Sequence, residues 1–301
     1  MKAYKEITII SGKGGTGKTS LTASFAVLGG KKLVIADCDV DAADMHLLME
    51  PETEHQEAFY SGKTALIKTE GCTHCFKCKK VCRFDAIHVI NGDFVVDELN
   101  CEGCSYCFHV CPTRTIKMLN ARSGTFYISK TRLMNMMVHA KLNIAADNSG
   151  KLVTKVRDEA KRIAEENRKK IILVDGPPGI GCPVVASLTG TNLAVIVTEP
   201  TISGLHDLRR VVELTAKMKI PTAIIINKAD LNPEIRDKIV AEAQALKLHF
   251  ISELPYSKIF TEAITGGKTV VEYGTNDIQH TIRNSWLKIL ELLEHQNQTV
   301  R

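Results

Sequence analysis

Aromatic side chains make up only 5% of this 301-residue chain, with a single tryptophan. Proteins that hold single-stranded nucleic acid stack bases on aromatic platforms, so a chain this poor in them is not built for that task. Charge of one sign is scarce as well: 39 lysines and arginines face 34 acidic residues, a formal net charge of +5. The basic residues are spread out, and no long run of them marks a nucleic-acid surface. No uninterrupted apolar stretch approaches the ~18 residues that a membrane-spanning helix needs. Lys2 and Lys5 precede an apolar run, but it ends at Ser11 in a glycine-rich segment and does not read as a secretory signal. The expectation is a cytoplasmic chain with no nucleic-acid partner and no stable membrane anchor.

Hydrophobic residues reach 44%, ample for a buried core, and the length allows one large or two modest domains. The ten cysteines stand out. In a reducing compartment, thiols at regular spacing are metal ligands more often than disulfides.

Residues 10–20 read I-S-G-K-G-G-T-G-K-T-S and contain G-x-x-x-x-G-K-[ST] as Gly12, Gly17, Lys18 and Thr19. A short apolar strand pattern at 6–10 precedes this phosphate-binding loop, and a helical pattern at 21–28 follows it, which is the context the motif requires. Backbone N–H groups from Gly12 through Ser20, including Gly14, Gly15 and Thr16, are expected to turn toward phosphates beside a helix N-terminus. Lys18 is expected to reach the β- and γ-phosphates, with the Thr19 hydroxyl on Mg²⁺. Strand-like segments at 32–36 and 171–174 end in aspartates, Asp37-Cys38-Asp39-Val40-Asp41 and Asp175-Gly176-Pro177-Pro178-Gly179. Doubly wound sheets bind ligands at strand carboxyl ends, and an aspartate after four apolar residues is the pattern that holds Mg²⁺ through water.

Cys72, Cys75, Cys78 and Cys82 are spaced C-x2-C-x2-C-x3-C, and Cys101, Cys104, Cys107 and Cys111 repeat the spacing before Pro112. Val81 matches Val110 and Ile87 matches Ile116 at the same offset, and Asn91-Gly92 signals a hairpin between 88–90 and 94–96. A single C-x2-C would suit zinc, but zinc has no use for two four-cysteine runs. The pattern resembles that of two-cluster bacterial ferredoxins, in which the fourth cysteine of each run serves the other cluster. One [4Fe–4S] cluster is then expected on Cys72, Cys75, Cys78 and Cys111, the other on Cys82, Cys101, Cys104 and Cys107. Arg83 departs from the usual proline and adds positive charge that would raise the potential beside Cys82. His74 and His109 are left as surface or outer residues, because the ligand count is already full.

The remaining segments alternate strand and helix. Residues 51–70 read as a polar connection, 125–128 and 141–145 as weak strands, and Met134, Met136 and Met137 as packing residues. Residues 151–167 form an amphipathic helix with Leu152, Val153, Val156 and Ile163 on one side. Strands at 193–197, 222–226 and 249–252, a helix at 203–217 and a terminal helix at 280–294 complete the pattern. The expected fold is a three-layer α/β P-loop fold with a mostly parallel sheet. Expected boundaries are an ATPase domain at 1–61 and 122–301, with a 2[4Fe–4S] ferredoxin-like domain inserted at 62–121.

With Lys13 after the first glycine, the loop K-G-G-T-G-K-T resembles the deviant P-loop of the MinD/Mrp-like superfamily that includes the nitrogenase iron protein. The resemblance implies ATP hydrolysis in a homodimer or a heterodimer with a related ATPase, with Lys13 reaching the partner's nucleotide. It implies Asp37 near the hydrated Mg²⁺ in switch I, Asp39 orienting the attacking water, Asp41 beside them, and 175–179 as switch II. Asn227-Lys228-Ala229-Asp230 reads literally as a guanine motif. In MinD-like families that asparagine contacts adenine, so Asn227, Asp230 and Pro255, with Tyr256, mark the base pocket and ATP is expected over GTP. Cys182, seven residues after Asp175, matches the offset of a cluster-ligating cysteine in the nitrogenase iron protein. That makes it a candidate interface thiol, against a packing role just before Pro183. Cys38 is expected to pack beneath the Mg²⁺ site.

The implied function is a nucleotide-gated iron–sulfur ATPase acting on a redox partner or a metallocofactor client. The alternatives are a ParA/MinD-type positioning ATPase with structural clusters, and an ATP-dependent amidation enzyme of the cobyrinate diamide synthase type.

Overall fold

The computed structural model describes residues 4–143, 149–273 and 277–295. Its elements are β1 Lys5–Ser11, α1 Lys18–Gly29, β2 Leu33–Asp37, α2 His46–Met49, β3 Glu52–Ile67, α3 Lys77–Val81, β4 Ile87–Ile90, β5 Asp93–Val96, α4 Tyr106–Val110, β6 Ile116–Lys130 and β7 Met136–Leu142. There follow α5 Ser149–Glu166, β8 Ile171–Pro178, α6 Cys182–Leu188, β9 Leu193–Thr198, α7 Ile202–Lys217, β10 Thr222–Ile226, α8 Pro233–Ala245, β11 His249–Glu253, α9 Ile259–Thr265 and α10 Asp277–His295. The chain divides into two compact units, one of Met1–Gln56, Phe126–Ala140 and Gly150–Arg301, the other of Glu57–Thr125 and Lys141–Ser149.

In the first unit the sheet order is β11-β10-β9-β1-β8-β2-β7, followed by the parts of β6 and β3 that belong to it. The pairs β1–β8, β1–β9, β9–β10, β10–β11, β2–β8 and β2–β7 are all parallel. β2, β9 and β10 are buried throughout, which is why they read as unbroken apolar runs: a parallel sheet covered on both faces leaves no wet side. Helices α1, α9 and α10 supply one core, in which Phe25 stacks on Trp286 with ring centroids 5.5 Å apart. Helices α6, α7 and α8 supply a second core through Val184, Leu208, Val211 and Ile239. The result is a three-layer α/β P-loop fold with a mostly parallel sheet. The terminal helix buries Ile282, Trp286, Ile289 and Leu293, and no helix among the described residues is long and apolar enough to cross a membrane.

Register does the positioning. Asp37 of β2 and Ile9 of β1 both lie opposite Asp175 of β8. The strand that feeds the P-loop and the two that end in acidic loops therefore finish at one level.

The second unit carries the cysteine runs, and the expected boundaries at 62 and 121 fall inside it. Its two halves are backbone copies. Phe76 before α3 and Ser105 before α4 are left-handed at φ 61° and 65°, and Cys82 and Cys111 close the two helices at φ −72°. Between them β4 and β5 pair antiparallel about Asn91 and Gly92, both at positive φ, as that dipeptide demands. The buried core is small: Ala65, Cys78, Ile87, Phe94 and Ile116.

Two expectations fail. Residues 51–70 are not a polar connection but hold the 16-residue strand β3. Ala65 is its only buried residue, so nearly all of the strand is wet and it shows no apolar alternation to read. The strand expected at 141–145 is instead β7, whose buried residues are Met137, Val138 and Ala140; residues 144 and 145 lie outside the described residues. Of the three methionines, Met137 is in the core, Met136 is half-buried and Met134 is exposed in a turn at φ 64°.

Candidate functional site

The loop between β1 and α1 is wrapped tightly enough to require glycine. Gly17 sits at φ 87°, and a Cβ there would collide with the Asn227 amide. Thr16 is buried, and its hydroxyl has no hydrogen-bond partner among the described residues. Gly14 and Gly15 are exposed, while Gly12, Gly17 and Ser20 are half-buried.

Below the loop, Asp175 is almost fully buried and takes three donors. Thr19 Oγ1 and Thr22 Oγ1 each donate at 2.8 Å, and Lys18 Nζ stands 3.1 Å away. Lys18 also donates to Asp39 Oδ2 at 3.3 Å. The Asp39 N–H donates to Asp37 Oδ1 at 3.2 Å, and the Cys38 N–H to the Asp175 carbonyl at 2.8 Å. The ends of β2 and β8 thus meet α1 through one hydrogen-bonded cluster. Burial works against the Lys18 ammonium, but Asp175, Asp39 and Asp37 outweigh it and hold its pKa above the usual lysine value. Burial and the Asp175 charge push Asp37 well above the ordinary carboxylate range, and burial raises Asp39 against the pull of Lys18. Cys38 is fully buried, and burial lifts its thiol well above the normal value. A cation beside Asp37, Asp39 and Asp175 would offset the burial and crowding that raise the first two, and their oxygens suit a hydrated divalent ion.

Thr22 belongs to this cluster although no motif names it; its signal is helical spacing, four residues after Lys18 on α1. Among the described residues, no three His, Cys, Asp or Glu side chains converge closely enough to hold a metal ion alone. Mg²⁺ does not need them to, since it keeps several waters and borrows phosphate oxygens.

Lys13 is tied within its own chain. Its Nζ lies 2.6 Å from Glu199 Oε1 and donates to Thr201 Oγ1 and Ser203 Oγ, each at 3.1 Å. The other Glu199 oxygen takes Lys228 Nζ at 2.9 Å, and Lys228 also donates to the Gly15 carbonyl at 3.0 Å. Burial would raise the Glu199 carboxyl, but the two lysines hold it below its usual value. The sequence motifs do not mark Glu199.

Asn227 is buried and spends its amide on the loop: Nδ2 donates to the Thr16 carbonyl at 2.8 Å, and Oδ1 accepts the Lys228 N–H at 3.0 Å. Asp230 accepts the Tyr256 N–H, and Pro255 and Tyr256 are exposed beside it. Cys182 is the exposed first residue of α6.

In the second unit the structure gathers the thiols in two groups. Cys72, Cys75, Cys78 and Cys111 line one hollow, and Cys82, Cys101, Cys104 and Cys107 line another. All ten cysteines of the chain are free thiols. Burial pushes the Cys111 thiol up, but hydrogen bonds from Thr115 and Thr113 outweigh it and bring it down to about 7. His74 and His109 are exposed, packed against Phe94 and Phe108.

A protein-family model described as the CobQ/CobB/MinD/ParA nucleotide binding domain matches residues 7–270. An uncharacterized protein of Methanocaldococcus jannaschii is 34% identical over 230 residues, 75% of this chain and 79% of the relative. An uncharacterized ferredoxin of the same organism is 29% identical over 121 residues, 38% of this chain and 76% of its own length. Among solved structures, the septum site-determining protein MinD of Pyrococcus horikoshii, complexed with Mg-ADP, matches with a TM-score of 0.58 at 18% identity, over 96% of this chain and 97% of that one. That last likeness is one of fold.

Proposed function

The chain belongs to the CobQ/CobB/MinD/ParA nucleotide-binding family, whose MinD and ParA members are P-loop enzymes that hydrolyse ATP, and from that premise we propose that it is a nucleotide-gated iron–sulfur ATPase. Residues 62–121 are its ferredoxin-like insertion, within an ATPase domain of 1–61 and 122–301. One observation carries the reading: a single chain holds both the Lys18–Asp175–Asp39 cluster under a P-loop and two hollows each walled by four free cysteines.

In the first unit Lys18 and the loop N–H groups hold the β- and γ-phosphates of ATP. Thr19 and Asp175 hold Mg²⁺, with Asp37 beside it, and Asp39 orients the attacking water. The orphaned Thr16 hydroxyl supports a ligand at this loop, because a buried polar group without a partner costs about 1–3 kcal/mol. Asn227, Asp230 and Pro255 border the base, and Lys13 reaches the nucleotide of a second copy or a related ATPase. The loops after β2 and β8 hang on the same γ-phosphate, so its departure frees both together.

In the second unit the thiols stand around a hollow. That suits a cluster, whose irons lie off its centre, better than a lone zinc with every sulfur ~2.3 Å from one point. Bound there, two [4Fe–4S] clusters supply single-electron chemistry at low potential. The output is electron transfer to a redox partner or assembly of a metallocofactor on a client protein.

The test is chemical analysis of the anaerobically prepared chain with ATPase assays on the same sample. The expected result is about eight irons and eight sulfides per chain. Lys18→Ala should abolish hydrolysis, and Lys13→Ala should bind nucleotide but lose hydrolysis that depends on protein concentration. Stoichiometric zinc with no cluster spectrum after reconstitution overturns the reading.

A further inference from the structure

The two halves of the second unit match at an offset of 29 residues, Cys82 with Cys111, and they differ where they face their hollows. Thr113 and Thr115 line the hollow of Cys72, Cys75, Cys78 and Cys111. Their counterparts at the same offset are Phe84 and Ala86, which line the other hollow. Thr115 Oγ1 lies 3.5 Å and Thr113 Oγ1 3.6 Å from Cys111 Sγ, and the two hydroxyls are 3.3 Å apart. A metal-bound thiolate carries no proton, so in that state the hydroxyls are the donors. The side chains of Phe84 and Ala86 carry no donor for Cys82.

Other influences on potential are only partly matched between the halves: Cys78 is buried where its counterpart Cys107 is half-buried. The backbones around α3 and α4 superpose in their cap angles, so their N–H groups are arranged alike. Cys75 and Cys104 are both exposed, and Cys82 and Cys111 are both half-buried. Lys77 lines the first hollow and Glu102 the second, which favours reduction of the first. Arg83 beside Cys82 acts the other way. All three charges are exposed, so water and salt screen them more than they screen a direct hydrogen bond at the sulfur.

Resting on the reading that both hollows hold [4Fe–4S] clusters, we propose that Thr113 and Thr115 make the two sites unequal. The site of Cys72, Cys75, Cys78 and Cys111 accepts an electron first, and that of Cys82, Cys101, Cys104 and Cys107 is the stronger reductant. Reduction adds one negative charge to a site and its sulfurs. A hydroxyl donating to a sulfur stabilises that charge, so it raises the potential. Each step takes one electron from an external reductant and requires no proton.

The experiment is a dithionite titration of the anaerobic full-length chain, followed by electron paramagnetic resonance, with iron and sulfide measured on every sample. The wild type should reduce in two steps. Thr115→Val and Thr113→Val keep the side-chain volume and remove the hydroxyl. Each should lower only the upper step, by about threefold to tenfold in the reduction equilibrium, for one net hydrogen bond. Tenfold corresponds to about 59 mV for a one-electron couple. The buried Thr115 should give the larger shift. Ala86→Ser, which adds one hydroxyl to the other hollow, should raise only the lower step. A single wild-type step, an iron-replete Thr115→Val protein with its upper step unmoved, or a shift of both steps together overturns this inference alone. A chain that binds no iron overturns the cluster reading and this inference with it.

Discussion

Replacing Glu199 by glutamine should tighten ATP-dependent self-association rather than weaken it. Lys13 is held at 2.6 Å by Glu199 Oε1, with Thr201 and Ser203 as further acceptors. To touch a nucleotide on a second copy, it has to leave them. Side-chain exposures of 29% for Lys13 and 12% for Glu199 make this a partly desolvated pair. A hydrogen bond to a charged group contributes about 1.5–3 kcal/mol, and partial exposure places this one near the lower end. Glutamine keeps an acceptor oxygen but loses the charge, so about 1 kcal/mol of the tether disappears per chain. A symmetric dimer releases two lysines, and about 2 kcal/mol lowers the dissociation constant roughly 30-fold. Lys228 also loses a partner but keeps the Gly15 carbonyl, so the loop stays anchored. The assay is sedimentation velocity with Mg–ATP in an Asp39→Asn background, which slows hydrolysis. Adding Lys13→Ala should erase the gain. A Glu199→Gln chain that dimerises no more tightly, or more weakly, refutes the reasoning: Lys13 would then belong to Glu199 in both states.

Three further outcomes follow from other parts of the molecule. Arg157 and Glu6 form a buried pair, 3% and 1% exposed; Arg157→Met should cost about 3–5 kcal/mol in urea unfolding, and adding Glu6→Gln should recover much of it, because the loss comes from stranding a buried charge. The Arg132 guanidinium, outweighing partial burial, holds the Glu272 carboxyl at about 2, below its ordinary 4.5. A depressed carboxyl contributes stability above pH 4.5 and loses it as pH falls toward 2, so the gap in urea midpoint between wild type and Arg132→Met, about 1 kcal/mol after solvent screening, should close over that range. Cys182 is exposed at the start of α6; maleimide labelling mapped by mass spectrometry should reach it in the nucleotide-free chain and be blocked by Mg–ATP, and equal labelling in both states removes it from the interface.

Much of the fold was legible because its central strands are covered on both faces. Residues 33–36, 193–197 and 223–226, within the segments expected as strands, are apolar without a break for that reason, and the structure has β2, β9 and β10 there. β3 was hidden by the opposite condition, with one buried residue in sixteen. α8 went unread for a related reason: only Ile235, Ile239 and Ala243 are buried, too thin a stripe to show, although Asn232 caps it by accepting the Ile235 N–H and Pro233 occupies the first turn.

The candidate site divides in the same way between what is local and what is not. Spacing within a few residues marks Lys18 and Thr19, because loop and helix geometry fix what such neighbours can reach. It does not mark Glu199, which meets Lys13 only after β9 is laid beside β1. Asn227 shows the same limit: the short motif around it suggests a base contact but gives no hint that its amide also donates to the Thr16 carbonyl, 211 residues earlier in the chain. The cysteine runs carry the limit furthest. Their equal spacing implies two equal sites, since a repeat constrains ligand positions and leaves the walls free to differ. Thr113 and Thr115 against Phe84 and Ala86 are unremarkable as letters. They acquire chemical meaning only when each pair faces a hollow and one of them lies within reach of a sulfur.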